Sequence, residues 1–414
     1  MAAYETPEPF KVDIPERTLI DLDERLRRWR TPPAIADKGS WASGTDPEFL
    51  VELVDYWRHG YDWQRCQEAI NAWPNYLVDV GKQRLHFIRE PGTEVAGAPR
   101  PMPLVVTHGW PGSVVEFLHV IDELAHPENH GGDPLDAFDV IVPSLPGYGF
   151  SGPPIREDGT QGPIGPRAIA RLWQRLVHEK LNYTRPYGVQ GGDWGAVVSS
   201  WLAFDHPAKE REDGSTSGVA GLHLNMMGLR PGIDLKTATL SAAEQAWLKN
   251  MGPALDDKVA YQRIQATRPQ TLGVALTDSP VGLAAWIVEK FQAWSDCKGE
   301  PLNRFPMDLL LDNIMVYWLT GSAGTATWLY RGVTQQHPRG LPEGKHVEVP
   351  TAFAAFPADI APTPPREWIE RCYNLRRYTV MPSGGHFAAL EEPRLLIDDI
   401  RDFFRPLRFG AAND

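Results

Sequence analysis

Four short apolar runs do most to limit what this chain can fold into. They are Leu104–Thr107, Phe138–Pro143, Tyr187–Gln190 and Gly218–Met226. Strands that read as near-continuous apolar runs are covered on both faces. Helical periodicity fills the intervals, at about Ser113–Leu124, Pro166–Leu181 and Trp194–Phe204. The alternation predicts an α/β fold with a mostly parallel central sheet and helices on both faces. It returns late, with Val347–Phe353, Tyr378–Met381 and a closing helix from Pro393 to Phe404. From about Gly228 to Gly340 the strand signal is gone. This stretch is helical and carries many aromatics, among them Trp247, Tyr261, Trp286, Trp294, Tyr317 and Tyr330. A helical excursion inside a continuing sheet predicts a lid, because ligands bind beyond the carboxyl ends of parallel strands. The N-terminal part reads as a helix from Pro15, helices over Pro47–Tyr61 and Gln64–Ala72, and a hairpin around Gly81. The expected division is an N-terminal region 1–95, a core of 96–227 and 340–414, and a helical lid 228–339.

Charge and composition remove other classes. With 41 Lys+Arg against 53 Asp+Glu the net charge is −12, which argues against non-specific nucleic-acid binding because phosphate contacts need a basic face. No apolar run approaches the roughly 20 residues a membrane span needs. The opening MAAYETPEPFKVDIPER lacks the basic and apolar regions of a secretory signal. Cys66, Cys297 and Cys372 are too few and too scattered for a disulfide framework or a zinc site. A cytoplasmic protein with reduced thiols and no metal or organic cofactor is expected.

The turn Gly191-Gly192-Asp193-Trp194-Gly195 lies between an apolar strand and a helix. That is the setting of a nucleophile elbow, with Asp where Ser commonly stands. The bland alternative is an Asp N-cap after a glycine turn. A carboxylate is already ionised at neutral pH and needs no base to activate it. Its attack on an alkyl carbon leaves an ester, and a histidine must then activate water to release it.

His386, in Gly384-Gly385-His386-Phe387, follows the last strand and precedes the last helix, where the base belongs in chain order. His206 and His223 lie in other contexts. Asp359 follows the preceding strand and is the candidate relay acid, to hold the imidazole tautomer. Glu348 competes but lies within the strand, and the alternative acid position near Asn225 carries an amide. The loop His108-Gly109-Trp110-Pro111-Gly112 follows the first core strand. Backbone N–H groups of Trp110 and Trp194 are the candidate oxyanion hole. Pro111 has no N–H, and its bond to Trp110 is a candidate cis peptide. Tyrosines suit leaving-group protonation, and Tyr261, Tyr317 and Tyr330 are the lid's candidates. Composition does not choose among them.

Together HGWPGS, PSLPGYGFS, GGDWG, DSPVGLAAWIVEKF, TAFAAFP and GGHFAALEEP resemble the α/β-hydrolase-fold epoxide hydrolases of the microsomal and juvenile-hormone type. The segments PFKVDIPERTLIDLDERLRRWRTP and YDWQRCQEAINAWPNY are similar to that family's N-terminal region, so the resemblance covers nearly the whole chain. It implies that Tyr261 and Tyr330 are the proton-donating pair, Asp193 the nucleophile, His386 the water-activating base and Asp359 the relay acid. It implies an apolar epoxide and water as substrates, a vicinal diol as product, and a homodimer as a plausible assembly. Detoxification, catabolism and secondary metabolism all fit. Two features depart from the pattern. Membrane-bound members carry an N-terminal anchor, which is not expected here, so the chain is expected to resemble the soluble bacterial and fungal members. The relay acid is Asp where some members have Glu. A haloalkane dehalogenase would use the same Asp and His but halide-binding Trp or Asn donors. A catalytically silent binding protein of the same fold is the reading from another class.

Overall fold

The computed structural model describes residues 4–36, 41–210, 216–256 and 258–408. Met1–Ala3, the start of the segment that carries no signal pattern, lie outside them. Ten strands join one sheet among these residues. They are β1 (Glu8–Phe10), β2 (Asn75–Val80), β3 (Gln83–Glu90), β4 (Met102–Thr107), β5 (Phe138–Pro143), β6 (Pro186–Gly191), β7 (Lys209–Glu210), β8 (Thr216–Leu224), β9 (Val347–Ala355) and β10 (Tyr373–Val380). The order is β1-β2-β3-β5-β4-β6-β8-β9-β10, with β7 paired to the side of β8. From β5 across to β10 the main path is parallel. The pairs β1–β2, β2–β3 and β3–β5 are antiparallel, so the N-terminal hairpin extends one edge of the sheet.

Alternate residues of the central strands face opposite layers, as the pleat requires. Leu104, Val106, Val140 and Ala354 pack in one core with Ile397 and Phe404 of the closing helix Pro393–Arg408. Val105, Ile141, Val189 and Phe353 pack in the other with Trp173 and Trp201. Each of the Val, Leu, Ile and Phe side chains among them contributes about 1.5–3 kcal/mol when fully buried. Gly188 keeps the sheet close to the closing helix, since a Cβ there would lie 2.6 Å from Phe404 Cε1.

Several boundaries differ from the expected ones. The helix expected over Ser113–Leu124 is broken into a 3-10 turn, Val114–Phe117, and a short helix, Ile121–Ala125. Paired β-branched residues around both pieces (Val114, Val115, Val120, Ile121) are poor helix formers. The helix from Pro166 ends at Arg175 and continues as a π turn over Leu176–Lys180. The closing helix runs on to Arg408 through Pro406. β1 has no counterpart among the expected strands, because three residues with a central proline carry little strand signal.

Between β8 and β9 the longer elements are helical: Ala242–Leu255, Ala260–Thr267, Pro269–Asp278, Pro280–Ala293, Met307–Thr320 and Trp328–Gln335. Among the described residues no single helix is long and apolar enough to cross a membrane. One pair, Pro269–Asp278 with Pro280–Ala293, reaches that length and apolarity only together, across a 114° bend.

Candidate active site

The turn after β6 is tight enough to require its glycines. A Cβ on Gly191 would lie 2.3 Å from the Gly195 carbonyl carbon, and one on Gly192 2.5 Å from Asn225 Nδ2. Asp193 itself has φ +45°, a strained value for a residue with a side chain. It opens the helix Asp193–Asp205, so its carboxylate lies at the positive end of that helix's dipole. One oxygen, Oδ1, accepts the Trp110 backbone N–H at 2.8 Å. The Trp110–Pro111 peptide is cis. Trp194 is the next residue of the helix's first turn, where backbone N–H groups have no intrahelical partner.

The second carboxylate oxygen lies 3.5 Å from His386 Nε2. The other ring nitrogen, Nδ1, is 2.6 Å from Asp359 Oδ1. Burial works against a charged imidazole, but Asp359 and Asp193 outweigh it and hold the His386 pKa well above its usual value. The two neighbouring carboxyl groups therefore favour the protonated form of the His386 ring. Glu348, the competing acid, is exposed at the far end of β9 beside His346.

Tyr261 and Tyr330 are both buried against the same indole. The Tyr261 ring stacks on Trp110 with centroids 5.0 Å apart, and Tyr330 meets it edge-on at 5.9 Å. The two phenols lie edge to face at 5.7 Å, and Tyr330 also abuts Trp194 at 4.8 Å. Burial, reinforced by the Asp193 charge, raises both phenol pKa values and keeps them protonated. The Trp194 indole N–H is buried without a hydrogen-bond partner. Tyr317 is employed elsewhere, donating to the Gly112 carbonyl at 2.6 Å.

Comparison with known proteins decides the family. The epoxide hydrolase N-terminus model matches residues 7–117, and the alpha/beta hydrolase fold model matches residues 102–251. A putative epoxide hydrolase of Stigmatella aurantiaca is 40% identical over 403 residues, covering 97% of this chain and 85% of that protein. Epoxide hydrolase 1 of Oryctolagus cuniculus is 36% identical over 424 residues, covering 96% and 89%. The chain belongs to the epoxide hydrolase family. The structure of Aspergillus niger epoxide hydrolase superposes on this enzyme with a TM-score of 0.79 at 31% identity, covering 98% of this chain and 97% of that one. Juvenile hormone epoxide hydrolase from Bombyx mori gives the same TM-score at 29% identity, covering 98% and 94%.

Several residues of this epoxide hydrolase escape motif reading. His108 braces the loop before Trp110: its Nε2 accepts the Leu145 N–H at 3.1 Å and its Nδ1 donates to the Gly109 carbonyl at 2.9 Å. Burial lowers its pKa to about 4, so it stays neutral. Asn313 donates to the Pro111 carbonyl at 2.7 Å and accepts the Ser113 hydroxyl at 2.9 Å. The His386 backbone N–H donates to the Trp294 carbonyl at 2.8 Å. The Asp296 N–H donates to Glu391 Oε2 at 2.7 Å. The helical segment thus holds both the Trp110 loop and the His386 loop. The motifs include His108, Ser113 and Glu391 without revealing these contacts, and none includes Asn313 or Asp296. Among the described residues no group of three or more His, Cys, Asp or Glu is arranged to hold a metal ion.

Proposed function

We propose that this enzyme hydrolyses an apolar epoxide to a vicinal diol through a covalent ester on Asp193. The observation that carries the reading is the single line of contacts from Trp110 N–H through Asp193 and His386 to Asp359, with two protonated phenols packed on Trp110. Asp193 attacks an epoxide carbon from the side opposite the breaking C–O bond. Tyr261 and Tyr330 hold the opening oxygen and one of them protonates it. The proton so lost is replaced from the His386 imidazolium.

Ester formation removes the Asp193 charge, and with it part of what kept His386 protonated. The neutral imidazole, oriented by Asp359, then takes a proton from water. The water attacks the ester carbonyl, and the N–H groups of Trp110 and Trp194 stabilise the oxyanion, each worth roughly 2.7–4 kcal/mol. The helices between β8 and β9 act as a lid that excludes bulk water and supplies both phenols. Their aromatic lining favours bulky apolar epoxides.

Repeated turnover in ¹⁸O-water tests this reading. The expected result is label in the Asp193 carboxylate, found by peptide mass. Label in the diol alone after a first turnover, with none in Asp193, means direct attack by water and overturns the ester route.

A further inference from the structure

Beside the nucleophile lies a small, partly open cavity with about 20 Å³ of space for the centre of a water molecule. One water needs roughly 10–15 Å³ measured in this way. Its wall includes Asp193, His386, Trp110, Gln190, Asn225 and Glu116. Buried space of this size stays dry when apolar and takes up water when polar groups face it. Here they do. Gln190 Oε1 is buried without a hydrogen-bond partner, while its Nε2 is occupied by Asn225 Oδ1 at 2.9 Å.

Glu116 is the unexplained member of this wall. It sits on the 3-10 turn Val114–Phe117, just past the Trp110 loop, where the Ser113 backbone N–H donates to its carboxyl and no ion pair to it is found among the described residues. Its carboxyl fills space that a side chain at position 112 would need: a Cβ on Gly112 would lie only 1.4 Å from Glu116 Oε1. Glu116 is half-buried, and a carboxyl drawn partly out of water is costly to keep unless it has a polar partner.

We infer that Glu116 is a positioning residue for the water that hydrolyses the Asp193 ester. The inference rests on the covalent reading above. One O–H of the water donates to Glu116, and the other faces His386 Nε2. The water oxygen bonds to Asp193 Cγ as that second proton passes to His386. The Cγ–O bond to the alkyl group breaks, and the departing alkoxide takes the proton back from His386. The regenerated Asp193 carboxyl passes its remaining proton to His386, restoring the resting ion pair. Burial pushes the Glu116 carboxyl up to about 8; His386 pulls it down and Asp193 pushes it further up.

The test is single-turnover kinetics on the full chain with styrene oxide as probe, following enzyme-bound ester by intact mass. Glu116→Gln should form ester within about twofold of the wild-type rate and hydrolyse it about tenfold more slowly or worse, the loss of one well-placed hydrogen bond. Gly112→Ala, which displaces the carboxyl without altering it, should give the same split and serves if the first variant does not fold. Equal slowing of both steps, or of neither, overturns the inference. His386→Gln separates the two readings. If it forms no ester, the covalent route itself has failed. If it accumulates ester while Glu116→Gln hydrolyses ester at the wild-type rate, only the role of Glu116 is lost.

Discussion

Gly195 approaches Thr107 so closely that a Cβ on the glycine would lie 1.9 Å from the threonine carbonyl oxygen. The neighbour is backbone in the central strand β4 and cannot rotate away. This contact brings the helix start against the sheet, and with it Asp193 within reach of the Trp110 N–H. Gly195→Ala should therefore cost stability at the upper end of the roughly 1–3 kcal/mol typical of overpacking, or beyond it. It should abolish turnover as well. Denaturant unfolding measures the first effect, and an unchanged midpoint would contradict the backbone contact.

The two lid phenols are expected to share one task. Either Tyr261→Phe or Tyr330→Phe alone should slow ester formation by about 10²–10³, the usual effect of deleting one oxyanion donor. The double variant should form no ester at all. Ester hydrolysis should be little affected in the single variants, since the phenols act on the opening oxygen. A double variant that still opens epoxides would remove the phenols from the mechanism. A dehalogenase, by contrast, would be indifferent to both substitutions.

His386→Gln should stop the reaction half-way. Its intact mass should rise by the mass of the substrate, with little diol released. Asp193→Ala should give neither adduct nor diol while keeping its circular dichroism. Diol formation by that alanine variant at the wild-type rate is the outcome that would sink the nucleophile assignment.

The charge on Asp193 also predicts a titration shift. It helps to raise the His386 pKa, so Asp193→Asn should lower it. NMR of histidine-labelled protein reads this directly, and an unmoved midpoint would mean that Asp193 does not hold the proton. The sign for stability follows. A histidine whose folded pKa is raised stabilises fully below its unfolded pKa of about 6.5, and that contribution is lost as pH rises through the folded value. In Asp193→Asn the contribution should be smaller and its loss complete at lower pH than in the wild type.

The Asp193 turn and the proposed base His386 are legible because each is written locally. Gly-Gly-Asp-Trp-Gly after an apolar strand leaves few conformations open, and Gly-Gly-His before the last helix is similarly terse. The choice between Tyr317 and its neighbours is not written locally. It depends on which face of a lid helix meets Trp110, and periodicity places Tyr317 in the same apolar stretch as any packing residue. The structure turns Tyr317 toward the Gly112 carbonyl and leaves Tyr261 and Tyr330 on the indole. Glu116 is invisible for a different reason. It lies in a segment that reads as regular helix, where a glutamate is normally a solvated surface group. Only the break into a 3-10 turn brings it to the cavity wall.

The grip of the helical insert on both catalytic loops has an evolutionary consequence. Asn313 and Tyr317 fasten one loop, and the Trp294 carbonyl fastens the other. Specificity in such an architecture is not a module that can be exchanged at will. Transplanting the insert from a relative would detune the chemistry along with the choice of substrate, so new substrate ranges should arise by piecemeal change to its lining while these anchor points stay put.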